Sequence, residues 1–89
     1  MKRIKWTYIA EFDYIQELER GKWVVGFLNE EGSPYECPIT DDPKLVEKLL
    51  KLIENSEVRK LRVTVEINEE PDKYGRQYPI LINVEASEN

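Results

Sequence analysis

Apolar and polar residues alternate from the start of the chain: Ile4, Trp6, Tyr8, Ala10, Phe12 and Tyr14 share one parity, and Lys5, Thr7, Glu11 and Asp13 share the other. A period of two held over about eleven positions predicts a strand with one side on a core and one side in water. Ile9 and Ile15 interrupt the polar side, so part of that side is expected to be covered as well. The stretch from Asp13 to Gly21 then admits two readings. Either the chain simply turns, or residues 14–20 make a short helix with Asp13 as N-cap, Gln16 reaching back in a capping box and Gly21 as the left-handed terminator. The capping pattern favours the helical turn, although so short a helix needs tertiary support to form.

Trp23 to Leu28 is apolar on both parities and rich in aromatic and β-branched residues, which predicts a central strand buried on both sides. Gly26 inside it reads as a bulge or a close approach of another group. Asn29 to Pro34 is turn chemistry, and Tyr35 to Ile39 is expected to return as a short third strand, placed at an edge by Pro38. A helix begins at Asp42, a good N-cap, with Pro43 suited to its first position. Leu45, Val46, Leu49, Leu50, Leu52 and Ile53 repeat at helical spacing and predict an apolar stripe packed on the sheet, ending near Asn55. In the last third, Leu61, Val63, Val65 and Ile67 form one alternating strand, and Tyr78, Ile80, Ile82 and Val84 form a second. The connection between them, from Glu69 to Arg76, is longer than a tight hairpin requires.

These elements predict an α+β protein occupying residues 1–89 as a single domain: a small antiparallel sheet of about five strands, in the order β-β-β-α-β-β, with one amphipathic helix packed on it. A five-stranded OB-type barrel has the same element order, with its helix between the third and fourth strands. Order alone leaves open whether the sheet closes, and it carries little about function.

Composition narrows the chemistry. The 89 residues are 40% apolar and 35% charged, which suits a soluble globular chain, and no apolar run approaches the ~20 residues needed to span a bilayer. Met1-Lys2-Arg3 leads into alternation and not into an apolar stretch, so no signal peptide is expected, no membrane association is expected, and the cytoplasm is the expected compartment. There is no histidine, so the usual neutral-pH base, zinc ligand and triad partner is missing. Cys37 is the single cysteine, which removes intrachain disulfides and thiolate zinc sites; its position beside Pro38 and Ile39 predicts a small buried hydrophobe with an unreactive thiol. An enzyme would have to work with carboxylates alone, such as Asp41 and Asp42 holding Mg²⁺, yet that pair is better explained as a helix start. No enzyme activity, no cofactor and no metal are therefore expected. Abundant glutamate and lysine with little serine, threonine and glutamine is the bias reported for thermophilic sources.

The net charge of −5 resides in the middle third, where residues 29–57 carry three lysines against eight acidic residues. Long-range attraction of the whole molecule to nucleic acid is accordingly not expected. The leading expectation is a small non-enzymatic binding or inhibitory protein acting through protein contacts, in the manner of a virus-encoded inhibitor or an accessory subunit. A single-stranded nucleic-acid-binding module with OB-like topology is the alternative. The candidate contact residues are Lys73, Tyr74 and Arg76 in the long connection, because tyrosine beside arginine is a frequent interface anchor and bases stack on tyrosine. Arg59, Lys60 and Arg62 at the fourth strand complete the basic set that a nucleic-acid reading would use. Self-association is left open.

Overall fold

The structure, a computed structural model, describes residues 3–35, 37–55, 57–68, 70–71, 73–75 and 79–87. Its elements are β1 (Arg3–Glu19), β2 (Lys22–Leu28), β3 (Ile39–Thr40), α1 (Pro43–Glu54), β4 (Leu61–Asn68) and β5 (Ile80–Ala86). The α+β class and the element order agree with the sequence reading. The sheet is mixed, not wholly antiparallel. It closes into a barrel in the order β1-β2-β3-β5-β4, and β3 meets β5 in parallel through Ile39 and Ile80. That parallel contact follows from the path of the chain, since α1 and β4 intervene between the two strands; Ile39 N–H donates to the Pro79 carbonyl at 3.1 Å.

The expected helical turn over 14–20 does not form. β1 continues as one 17-residue strand, with Ile15 opposite Val25 and Glu17 opposite Trp23 on β2. Pairing with an apolar neighbouring strand satisfies the backbone groups along one edge of this segment, whereas an isolated helix of this length would be marginal. Gly21 serves the hairpin instead: its φ of 77° closes the Arg20-Gly21 loop, and the ladder slips by one residue at Leu18. A second slip at Asp13 inverts the parity of β1, so that Phe12 and Ile15 face the core while Tyr14 faces outward. The Tyr14 ring lies directly over Gly26, where a Cβ would collide with it. The glycine thus permits a close approach, and the ring covers the outer side of β2.

The third strand also departs from expectation. It is Ile39–Thr40 and not Tyr35–Ile39, because Pro38 has no N–H to give to a ladder. The preceding segment still follows β2 irregularly, with Tyr35 N–H donating to the Phe27 carbonyl at 2.8 Å and Val25 N–H to that of Pro38 at 2.9 Å. Pro38 takes the buried place and Cys37 turns outward, so the expectation of a buried thiol is overturned: Cys37 is exposed.

In β5 the buried residues are Leu81 and Val84, while Ile82 is exposed, contrary to the alternation of 80, 82 and 84. Thr64 pairs with Asn83 and Val65 with Leu81, which leaves Ile82 as the extra residue of a bulge and switches the phase of the strand. Tyr78 lies outside the described residues. The helix begins as predicted: Asp42 Oδ1 accepts from Lys44 N–H at 3.0 Å, and Thr40 Oγ1 accepts from Asp42 N–H at 3.1 Å. It buries Leu45, Val46 and Leu49, with Leu52 and Ile53 half-buried. Leu50 is exposed, because it lies ~100° around the helix from Leu49. The core joins Leu45 and Leu49 to Ala10, Val25, Phe27, Leu61, Val63, Val65, Leu81 and Val84.

Candidate binding surface

The β1–β4 ladder sets out a graded series of side chains on the inner face. Ala10 opposite Leu61 is a fully buried pair, Tyr8 lies opposite the buried Val63, Trp6 opposite Val65, and Ile4 opposite Ile67. Toward Arg3 this face loses its cover, with Ile4 42% and Trp6 38% exposed. The expectation that Ile4, Trp6 and Tyr14 belong to the core is thereby corrected. β1 and β4 run on past the point where β2 ends at Leu28, so the barrel has an open end with an apolar row along one wall.

Tyr35 prolongs that row. Its ring stacks on that of Tyr8 with centroids 4.6 Å apart and planes tilted by 39°, and Tyr8 in turn meets Phe27 edge-on at 6.5 Å. The core therefore leads through Phe27 and Tyr8 to a tyrosine that is 44% exposed. Next to the pair the turn from Asn29 to Ser33 is stapled by its own hydrogen bonds. Asn29 Oδ1 accepts from the N–H groups of Glu31 at 2.9 Å and Ser33 at 3.0 Å, and Gly32 N–H donates to the Asn29 carbonyl at 2.9 Å. An open groove of about 420 Å³ results, lined by Tyr8, Ile9, Asn29, Glu30, Glu31 and Tyr35. Among the described residues neither Glu30 nor Glu31 is in an ion pair.

The residues singled out in the sequence lie elsewhere. Lys73 and Tyr74 sit in the turn between β4 and β5, where Gly75 adopts a φ of 76°. Tyr74 is 73% exposed, and Lys73 Nζ stands 5.1 Å from its ring centroid, within cation–π range. Arg76 lies outside the described residues. Arg59, Lys60 and Arg62 are at the opposite end of β4 from this turn, a strand length of roughly 25 Å away. The structure does not gather the two basic groups onto one surface. Lys60 lies in a crevice with Ile9, Glu11 and Glu30, and Arg59 borders a groove with Glu11 and Phe12, so both are interleaved with acids.

On the outer side of β2, the Tyr14 hydroxyl donates to Cys37 Sγ at 3.6 Å. This bond raises the phenol's pKa above its ordinary value; the charge of Cys37 when ionised, some burial and the nearby Asp13 act in the same direction. Asp42 is occupied as the helix cap, and among the described residues no three acidic or thiol groups converge as a metal site would require. Nor is any described helix long and apolar enough to cross a membrane.

The open-end row was not found from the sequence, although one signal was there: the alternating stripe of the first strand runs for six apolar positions, longer than the partner stripes that could cover it. Comparison with protein families, with curated proteins and with solved structures returns no match.

Proposed function

We propose that this chain is a non-catalytic binding module that engages a protein at the open end of its barrel, acting as an accessory or inhibitory component of a larger assembly. One observation carries this reading: Ile4, Trp6, Tyr8 and Tyr35 form a continuous apolar and aromatic row that ends in water although each residue stands on a hydrogen-bonded or stacked support. Exposed aromatic side chains on a rigid frame are the usual anchors of protein interfaces, since little conformational entropy is lost when they are covered.

A second reading is supported by the topology. The order β1-β2-β3-β5-β4 with a helix between β3 and β4 fits an OB-type barrel, a fold whose loop between β4 and β5 commonly contacts single strands, and here that loop holds Lys73 and Tyr74. The net charge of −5 and the scattering of the remaining cations among acids weigh against it. Affinity capture from native host lysate separates the two. Proteins retained by the wild-type chain after nuclease treatment, and lost by a Trp6→Ser, Tyr35→Ser double variant, are expected. Retention that vanishes with nuclease, or with Tyr74→Ala alone, would transfer the function to nucleic acid and the distal loop.

A further inference from the structure

Three features of the open end meet at one place. The first is a strand edge. β1 pairs with β2 only from Glu11 onward, so the edge of β1 that faces away from β4 carries no neighbouring strand from Arg3 to Thr7 among the described residues. Such an edge presents alternating N–H and carbonyl groups to an incoming chain. All five of these residues are exposed. The second is the apolar row, whose Ile4 and Trp6 flank the same edge. The third is the groove at the end of that edge. It contains two tyrosine rings and two carboxylates that form no ion pair among the described residues; Lys60 shares only the neighbouring crevice with Glu30.

We propose that the open end receives an extended segment of a partner protein, added as a strand along the Arg3–Thr7 edge in the place that β2 vacates, with a lysine or arginine side chain of that segment lodged in the groove beside Tyr35, Glu30 and Glu31. The inference rests on the protein-binding reading above. Main-chain hydrogen bonds to the edge supply affinity without sequence preference, as in other strand-addition complexes. The groove supplies the preference. A cation there meets two carboxylates and the exposed ring of Tyr35, which Tyr8 backs from the other side, and the Asn29 hydrogen bonds already hold the acidic turn in place, so little ordering is needed on binding. The polarity follows from the neighbour whose place is taken: β2 is antiparallel to β1, so the added segment runs antiparallel and its cationic residue comes first, near Ile9, before the residues that face Trp6 and Ile4.

The test is an amide chemical-shift titration of the whole chain with acetyl-Arg-Thr-Val-Thr-Val-Thr-amide. Two further probes are the same peptide with Gln for Arg and acetyl-Thr-Val-Thr-Val-Thr-Arg-amide. Saturable shifts confined to residues 3–9 and 29–35 are expected, with the Arg-first peptide binding roughly five- to tenfold tighter than either other peptide. A Glu30→Gln, Glu31→Gln double variant should abolish that advantage while leaving the affinity of the Gln peptide unchanged. Equal binding of all three peptides at these residues would overturn the cation site and leave the protein-binding reading standing. Self-association through residues 3–9 that the peptide does not displace would overturn the proposal in favour of a second copy on this edge. Shifts of the same residues by a dT12 oligonucleotide, with none from the peptides, would overturn both this proposal and the reading beneath it.

Discussion

The two ends of the β1–β4 ladder are built from the same kind of sequence and meet opposite fates. At one end Ala10 and Leu61 are buried, with Leu45 and Leu49 of α1 in the same core cluster, and Phe12, Ile53 and Val58 close the margin. At the other end Ile4 and Trp6 occupy the same face in the same period-two pattern, yet both are exposed and stand outside the core cluster. Alternation therefore identifies a face, and a second element decides whether that face becomes core. Here the one helix among the described residues is 12 residues long, and its buried Leu45 and Leu49 join a core cluster that includes Ala10 and Leu61 but not Ile4 or Trp6. The uncovered remainder stands as a surface with the composition of an interior, which is what an interface core resembles.

The sharpest way to test this contrast is to cut the covered end. Leu49→Ala should lower the unfolding free energy by about 2–5 kcal/mol, since Leu49 is fully buried and its removal leaves a cavity between helix and sheet. Urea denaturation checks it, and a loss below about 1 kcal/mol would mean that α1 is not what converts this end into core. A smaller effect is expected one step back along the same element. Asp42→Ala should cost about 1 kcal/mol by removing the bond from Lys44 N–H to Asp42 Oδ1, and Asp42→Asn should restore most of it. If the alanine variant is as stable as wild type, the helix is held by packing alone, and the covered end does not depend on how its helix starts.

Much of this architecture was readable in the residues, and the failures share a cause. The helix boundaries were legible because Asp42, Pro43 and Asn55 act locally. The parity of β4 was legible because its buried residues, Leu61, Val63 and Val65, never leave phase. Where the pattern misled, the cause was a slip in pairing. Asp13 on β1 and Ile82 on β5 are the extra residues of bulges, and each one sends the following side chains to the other face. Nothing local marks a bulge, because it arises from the match between two strands far apart in the chain. Cys37 misled for a related reason: either Cys37 or its neighbour Pro38 could have taken the inner place, and the hydrogen bond from Val25 to the Pro38 carbonyl settles which does. The tip residues Lys73 and Tyr74 were legible as an exposed turn, whereas the open-end row required knowing that β2 stops at Leu28 while β1 and β4 continue.

The smallest expected effect belongs to the open end itself. Trp6 pairs across the ladder with Val65, and this cross-strand contact is worth roughly 0.2–1 kcal/mol, so Trp6→Ala should shift the urea midpoint only slightly and leave the slope of the transition unchanged. For a tryptophan this is a weak response, because truncation of a core tryptophan costs about 3–5 kcal/mol. The comparison then takes its most exacting form in the pair of variants. Leu49→Ala removes one leucine from the covered end and should cost several times more than deleting the much larger side chain of Trp6, with the two losses nearly adding in the double variant because Trp6 stands outside the core cluster that holds Leu49. Equal losses would show that the open end carries as much of the folding energy as the helical end. Trp6 would then be core, and the row from Ile4 to Tyr35 could no longer be offered to a partner without unfolding the barrel that supports it.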